Sequence, residues 1–239
     1  DRRLRAARTR GIRTRRPAGF TPEALARDVI RAVEEHGVKN PWILVGHSMG
    51  GRVAMRVAAI AAESDRPLLA ACIVEDMDAI PRTYGNIEES RPFDRSFASW
   101  SEARDALVAR GYDLPRVESW RGVRVRHLVD GTWWSDINPE AQNLARDRIL
   151  GSNDGDVAWQ TLSRYEDTLP FGVSLWVAGD RGTACDWDGP GGILDLKRRL
   201  PRASIVKFEN ADHSIHNTAR PEFVRELVSI INAASRKNA

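Results

Sequence analysis

Residues 45–51, VGHSMGG, place Ser48 between glycines at the point where the chain changes its pattern. The apolar run 41–44 before them predicts a strand, and residues 52–62 after them have helical spacing. A chain that passes from strand to helix within so few residues must turn sharply, and glycine permits the close approach that such a turn needs. The pattern therefore predicts a tight turn that exposes the side chain of Ser48.

Apolar and helical segments alternate on both sides of this turn. Residues 68–74, LLAACIV, are an apolar run of strand length that ends in the acidic group 75–78, EDMD. Beyond residue 170 the same alternation predicts two strands and two helices, at 173–178, 193–200, 204–208 and 221–234. Strands that are apolar throughout indicate parallel pairing with both faces covered. The sequence thus predicts an α/β fold with a mostly parallel sheet and flanking helices.

The segment 81–170 interrupts this alternation, because the strand signal disappears and several of its parts have helical spacing. We expect it to be a mostly helical insertion that forms a cap or lid. The core then consists of residues 20–80 and 171–239. Residues 1–19 form an arginine-rich tail that we expect to be disordered.

Charge is distributed unevenly along the 239 residues. The formal net charge is +3, but residues 1–16 contain eight arginines and one aspartate, which leaves about −4 for the remainder. A basic tail on an acidic body is poor support for nucleic-acid binding by the folded part. The longest apolar runs have the length of strands, well short of the roughly 20 residues of a membrane-spanning helix. We expect neither nucleic acid nor a membrane span.

The two cysteines, Cys72 and Cys185, are too few for a disulfide framework, and no spacing typical of a zinc site is present in the sequence. We therefore expect a reducing compartment, such as the cytoplasm or an organelle interior. We also expect no cofactor and no metal.

The serine has the sequence context of a catalytic nucleophile. Gly46-x-Ser48-x-Gly50 between a predicted strand and a predicted helix is the pattern of a nucleophile elbow. A serine hydroxyl needs a base, and the base needs an acid to orient it. His213 lies between the last predicted strand and the last predicted helix, at the sheet edge where the elbow also lies. We predict His213 as the base, and His216 is the less favoured choice.

These residues resemble the α/β-hydrolase family. The segment VGHSMGGRVAM is similar to the elbow of that family, and ADHSIHNTARPEFV is similar to its histidine segment. The resemblance covers roughly residues 20–80 and 170–235, with the family's order of serine, acid and histidine. Within the family, NDGD followed by AWQTLSRYEDTL resembles the small ABHD-eleven and YbfF-type esterase branch. The resemblance implies an α/β-hydrolase fold and serine hydrolase chemistry.

The acid of the triad has several candidates in the sequence. Many family members place it after the strand beyond the insertion, where this chain reads GDRG at 179–182, with glycine at the usual acid position. The esterase branch takes it instead from the tip of the earlier strand, where Asp76 lies. We favour Asp76, keep Asp180 as the runner-up, and leave Asp78 and Asp186 open.

The residues before Ser48 depart from the family's pattern. The family has about four strands before the elbow, and a His-Gly segment among them supplies the second N–H group of the oxyanion hole. None of the 47 residues before Ser48 predicts those strands. We therefore expect a chain that is N-terminally truncated relative to the family, with an unpaired apolar edge on the elbow strand. The Met49 amide is the one oxyanion donor that the sequence predicts.

The resemblance implies cleavage of an ester or thioester of a small to medium acyl group, through an acyl-enzyme on Ser48. His47, Trp133 and Trp134 are candidates for contact with this small-molecule substrate, although tryptophans in an insertion more often belong to a core. Two alternatives stay open, because fold does not determine function. One is a catalytically impaired or non-catalytic binding protein that keeps the elbow. The other is a C–C bond hydrolase with the same triad.

Overall fold

The computed structural model describes residues 19–83, 96–136, 143–179 and 182–237. The chain divides into two compact units, residues 1–83 with 147–239 and residues 84–146. The arginine-rich tail that we expected to be disordered lies, up to residue 18, outside the described residues.

The strands and helices of the described residues are numbered in chain order. The strands are β1 (Trp42–His47), β2 (Leu69–Glu75), β3 (Ser96–Phe97), β4 (Val125–His127), β5 (Trp133–Ser135), β6 (Gly172–Ala178) and β7 (Ser204–Phe208). The α-helices are α1 (Pro22–Glu35), α2 (Met49–Ala62), α3 (Trp100–Val108), α4 (Leu114–Ser119), α5 (Asp154–Arg164), α6 (Ile193–Arg199), α7 (Ile215–Thr218) and α8 (Arg220–Lys237). A π-helical turn, Arg146–Leu150, and a 3₁₀ turn, Glu166–Thr168, complete the list.

The first unit is built on a four-stranded sheet with the order β1-β2-β6-β7, in which every neighbouring pair is parallel. The central strands are buried over nearly their whole length, as the apolar sequence of β2 predicts. Because all four strands run the same way, their carboxyl ends meet at one edge of the sheet. The predicted α/β fold with a parallel sheet is confirmed.

Helices cover this sheet, and local sequence signals position their ends. The Thr21 hydroxyl accepts a hydrogen bond from the N–H of Ala24 at 3.1 Å, and Pro22 is the first residue of α1. Ala54 and Ala58 are buried on α2, where small side chains let the helix lie close to the strands. Among the helices that the structure describes, none has the length and apolarity needed to cross a membrane.

Strand β1 forms one edge of the sheet within the described part of the chain, since β2 is its hydrogen-bonded neighbour. Its residues Ile43, Leu44 and Val45 are only half-buried. Their partners on β2 are buried, and two of them, Cys72 and Ile73, are fully buried. The apolar open edge that the sequence predicts is thus present among these residues.

The second unit contains a small antiparallel sheet with the order β3-β5-β4, together with α3 and α4. The helices bury Leu107 and Val117 against Phe97 and Val125 of the sheet. The sequence predicted a mostly helical insertion over 81–170, and strands of two or three residues are too short to produce a detectable alternation. Helix α5, which we placed in that insertion, packs instead against α2 in the first unit.

Candidate active site

The turn between β1 and α2 presents Ser48 in a backbone conformation that non-glycine residues rarely adopt, with φ 54° and ψ −124°. A Cβ atom at Gly46 would lie 2.3 Å from the carbonyl oxygen of Gly50, and one at Gly51 would lie 2.8 Å from Cβ of Met77. Among the described residues, a Cβ atom at Gly50 would meet nothing within 4 Å. Close approach therefore requires glycine at 46 and 51, whereas the sequence pattern pointed to 46 and 50.

His213 lies in the loop between β7 and α7, at the carboxyl edge of the sheet. Its Nε2 is 2.9 Å from Oγ of Ser48, and its Nδ1 is 2.7 Å from Oδ2 of Asp76. An ionised carboxylate can only accept, so Nδ1 carries a proton and donates it, which leaves Nε2 to accept from the serine hydroxyl. The structure thus brings the three predicted residues into one hydrogen-bonded line.

Asp76 is fully buried directly after β2. Besides the bond from His213, its carboxylate accepts hydrogen bonds from the N–H groups of Ala178 at 2.9 Å and Ala184 at 2.8 Å, and from the Thr183 hydroxyl at 2.8 Å. Burial by itself raises the pKa of Asp76, but the hydrogen bonds, led by that from His213, outweigh burial and hold this pKa below its ordinary value. Asp76 is therefore suited to remain ionised beside the imidazole.

The other three candidate acids have different surroundings. Asp78 is fully buried and forms ion pairs with Arg52 at 3.7 Å and Arg82 at 2.8 Å. Asp186 is exposed, and its backbone N–H donates to the Asp78 carboxylate at 2.8 Å. Asp180, the runner-up, lies outside the described residues.

Met49, the predicted oxyanion donor, is the first residue of α2 and follows Ser48 directly. The N–H groups in the first turn of a helix have no carbonyl partner within the helix and carry a partial positive charge. The Met49 N–H lies at that position beside the serine, where an oxyanion formed by attack on a carbonyl group would need a donor.

His47 connects the elbow to the histidine loop. Its Nε2 lies 2.7 Å from the carbonyl oxygen of His213. Because a carbonyl oxygen can only accept, Nε2 is the donor. The His47 ring also lies against the rings of His213 and His216, with centroid distances of 4.7 and 5.0 Å. The His47 side chain therefore helps to hold the loop that carries the base. Its predicted contact with substrate stays a prediction.

A second carboxylate–histidine pair, which sequence reasoning missed, lies beside the first. Oε1 of Glu75 accepts hydrogen bonds from the backbone N–H of His216 at 2.9 Å and from its Nδ1 at 2.8 Å. Glu75 directly precedes Asp76, and His216 follows His213 by three residues, so adjacency to both predicted triad members was a signal for it. Glu75, His216 and His47 offer ligand atoms within 4.8 Å of one another and could hold a metal ion.

The two tryptophans proposed for substrate contact lie on β5 of the second unit. The Trp133 ring has its centroid 5.5 Å from that of Trp100 and 5.2 Å from that of His127. Trp134 pairs across the sheet with Ser96 and Arg126. These contacts belong to the small sheet, and the role of both tryptophans in substrate binding stays a prediction.

Both cysteines are free and buried. Burial raises the pKa of Cys72 to about 12. Burial, followed by the negative charges of Asp76 and Asp78, raises the pKa of Cys185. Both groups are therefore neutral thiols at physiological pH, which disfavours them as nucleophiles.

A family model described as "Alpha/beta hydrolase family" matches residues 3–227. Among solved structures, a marine microorganism esterase is 18% identical with a TM-score of 0.60, over 88% of this chain and 77% of that chain. The thioesterase domain from the curacin biosynthetic pathway is 16% identical with a TM-score of 0.55, over 89% and 75%. An E-2-(acetamidomethylene)succinate hydrolase is 15% identical with a TM-score of 0.53, over 91% and 76%. Identities this low support a shared fold alone.

Proposed function

Because the chain belongs to the alpha/beta hydrolase family, we propose that it is a serine hydrolase that cleaves an ester or thioester of a small to medium acyl group. The observation that carries this proposal is the hydrogen-bonded line from Ser48 through His213 to Asp76. The line lies at the carboxyl edge of a parallel sheet, where the three residues come from three different loops. The proposal involves no cofactor.

In the first half of the reaction, Oγ of Ser48 attacks the carbonyl carbon of the substrate while Nε2 of His213 takes the hydroxyl proton. The Asp76 carboxylate holds the imidazole by its Nδ1–H and stabilises the imidazolium. The N–H of Met49 donates a hydrogen bond to the carbonyl oxygen as it becomes negative. His213 then gives its proton to the departing alkoxide or thiolate as the bond to the acyl carbon breaks, which leaves an acyl ester on Ser48.

In the second half, a water molecule takes the place of the departed alcohol or thiol. His213 removes a proton from this water as its oxygen attacks the acyl carbon. The proton then returns to Oγ of Ser48 as the acyl ester breaks, which releases the carboxylic acid. Both halves of the reaction use the same line of hydrogen bonds. One fixed arrangement of Ser48, His213 and Asp76 therefore assists both the attacking nucleophile and the leaving group.

Covalent labelling with a fluorophosphonate probe tests the nucleophile, because this probe modifies an activated serine. We expect the purified chain to be labelled, and Ser48→Ala and His213→Ala to abolish labelling. Ser229→Ala is a matched control, since Ser229 lies on the exposed side of α8. Folded wild-type protein that takes no label would contradict the proposal and favour the binding-protein alternative.

A substrate panel tests the class of bond that is cleaved. We expect turnover of p-nitrophenyl esters and acyl thioesters of two to eight carbons, with a burst of p-nitrophenol if deacylation is slower than acylation. A vinylogous diketone belongs in the same panel. Turnover of the diketone together with resistance of every ester and thioester would overturn the proposal in favour of C–C bond hydrolysis.

A further inference from the structure

Among the residues that the structure describes, the partner of the Glu75 carboxylate is a histidine rather than a permanently charged arginine or lysine. The Glu75 side chain is 2% exposed. Its hydrogen bonds go through Oε1 to His216, and within the described residues no lysine or arginine forms an ion pair with it. The nearby buried carboxylate of Asp78, in contrast, has two arginines. A buried carboxylate needs a cation close by, since an uncompensated charge in a protein interior is costly.

Two features of the fold bring imidazole groups to this carboxylate. His47 and Glu75 occupy paired positions at the ends of β1 and β2, so their side chains lie on the same face of the sheet. His216 comes from the first turn of α7, and its backbone N–H is itself bonded to Glu75. His47 and His216 are partly exposed, so an ion from solvent can reach the group.

We propose that His47, Glu75 and His216 bind a divalent transition-metal ion, with Zn²⁺ the ion that the donor set fits best. Two imidazole nitrogens and one carboxylate oxygen are the ligand types found with zinc, and three protein ligands leave one position for water. Calcium and magnesium prefer oxygen ligands alone. A site for copper(I) is disfavoured because no sulfur belongs to the group.

The ligand atoms lie close enough for small side-chain movements to complete the site. They are within 4.8 Å of one another, whereas two ligands at tetrahedral zinc lie about 3.4 Å apart for bond lengths near 2.1 Å. The nitrogen that binds the ion must be free of its proton, so zinc competes with protons for these histidines. Rotation of the His47 and His216 rings and of the Glu75 carboxylate supplies the remaining movement.

A bound ion would inhibit the reaction, and this part of the inference rests on the proposed function. The His47 ring lies 4.7 Å from the ring of His213. Binding of zinc through a rotated His47 ring would break the hydrogen bond from His47 Nε2 to the carbonyl oxygen of His213 and so disturb the position of the base. Zinc would therefore act as a reversible inhibitor, because its removal lets His47 bond to the His213 carbonyl oxygen again.

Binding is tested without reference to activity. The chain is purified without a polyhistidine tag, treated with a chelator and titrated with Co²⁺, whose visible absorption reports tetrahedral coordination. Zn²⁺ is then added to displace Co²⁺, and its affinity is measured by competition with a chromogenic chelator. We expect one equivalent of Co²⁺ to give the visible bands and one equivalent of Zn²⁺ to remove them.

Variants assign the ion to its ligands. Glu75→Gln and His216→Gln should each weaken zinc binding by more than about 100-fold, the upper end of the loss seen when only an outer-sphere partner is removed. His36→Gln and His127→Gln are matched controls, since both residues are exposed histidines outside the group, and should bind as wild type does. Glu75 is buried, so the Glu75→Gln variant could fail to fold. His216→Gln changes a half-exposed side chain and therefore tests the same site with less risk to folding.

His213→Ala separates this inference from the proposed function. It should retain zinc affinity within about threefold while it loses fluorophosphonate labelling, since His213 is not among the three ligands. Wild-type protein without Co²⁺ bands would overturn the metal site whatever the labelling shows. Zinc binding that survives Glu75→Gln and His216→Gln but disappears in His213→Ala would also overturn it, because the ion would then be held by the triad.

Discussion

Asp76 and Glu75 are neighbours in the chain, and each is a buried carboxylate bonded to a histidine from the short segment 213–216. The two histidines, His213 and His216, have equally exposed side chains, 37% in both cases. The Asp76 pair continues to Ser48 and receives three further hydrogen bonds from the strand β6 and the segment that follows it. Within the described part of the chain, the Glu75 pair has neither a serine nor those donors.

The difference shows that a carboxylate–histidine pair does not by itself make a catalytic site. The donors around Asp76 fix its position and hold its pKa low, so His213 is kept in one tautomer with Nε2 directed at Ser48. Glu75 binds the backbone N–H of its histidine as well as the ring, so it also anchors the start of α7. The Asp76 pair is organised for proton transfer, whereas the Glu75 pair fixes the start of α7.

The largest expected effect is the difference in kcat between variants of the two carboxylates, Asp76 and Glu75. Asp76→Asn should lower kcat by about 10⁴-fold, because an amide cannot hold the imidazole in the required tautomer. Glu75→Gln should lower kcat by less than about tenfold, since its carboxylate bonds to His216 rather than to the catalytic His213. Steady-state kinetics on the best ester of the panel measures both. Equal losses would show that the two pairs act as one unit.

A third buried carboxylate, Asp78, extends the contrast to stability. Asp78→Asn should reduce the free energy of unfolding by about 3–5 kcal/mol, because it leaves the fully buried Arg52 without its counter-charge. Glu75→Gln should cost less, since its partner His216 has a half-exposed side chain that can bond to water instead. Urea unfolding followed by tryptophan fluorescence compares the two variants. A larger loss of unfolding free energy in Glu75→Gln than in Asp78→Asn would mean that the Glu75 carboxylate serves mainly to stabilise the fold.

The elbow offers a matched pair of glycine substitutions. Gly46→Ala should destabilise the protein by about 1–3 kcal/mol and reduce fluorophosphonate labelling, because its Cβ would lie 2.3 Å from the Gly50 carbonyl oxygen. Gly50→Ala should leave stability unchanged or raise it by up to about 1 kcal/mol, since the site is open and helical. Thermal melting with labelling in parallel measures both. If both substitutions left the melting temperature and the labelling unchanged, steric crowding at Gly46 would not explain the turn.

The smallest effect concerns pH. The folded protein holds the pKa of Asp76 below its ordinary value, so it binds that proton less tightly than the unfolded chain does. The ionised Asp76 carboxylate therefore contributes its full stabilisation above the ordinary aspartate pKa of about 4. This contribution is lost as the pH falls through the lowered pKa of the folded protein. The stability difference between wild type and Asp76→Asn should shrink on acidification. If the difference in unfolding free energy between wild type and Asp76→Asn stayed constant down to the pH of acid unfolding, the lowered pKa of Asp76 would not contribute to stability.

Local sequence was sufficient to predict the strands β1, β2, β6 and β7 and the turn at Ser48, because long apolar runs and a strand–glycine–helix pattern are strong signals. The short strands of the second unit could not be predicted, since two or three residues give no periodicity. The requirement for Gly51 rather than Gly50 depends on contact with Met77, which no local pattern contains. The resemblance to the alpha/beta hydrolases is confirmed, and the ABHD-eleven and YbfF-type branch stays a prediction.

The sequence by itself determined that a serine and a histidine would meet at the carboxyl edge of a parallel sheet, because strand direction and chain order leave them no other edge. Only the tertiary structure decided the partners of the carboxylates in the segment 75–78, EDMD. Glu75 bonds to His216, Asp76 to His213, and Asp78 to arginines. Residues so close in the chain share the same neighbouring sequence, so the sequence alone does not separate their roles. Their side chains point in different directions because the backbone turns at the end of the strand, where Asp76 has φ 47°. That choice depends on loops more than 100 residues away, which meet only when the sheet has formed.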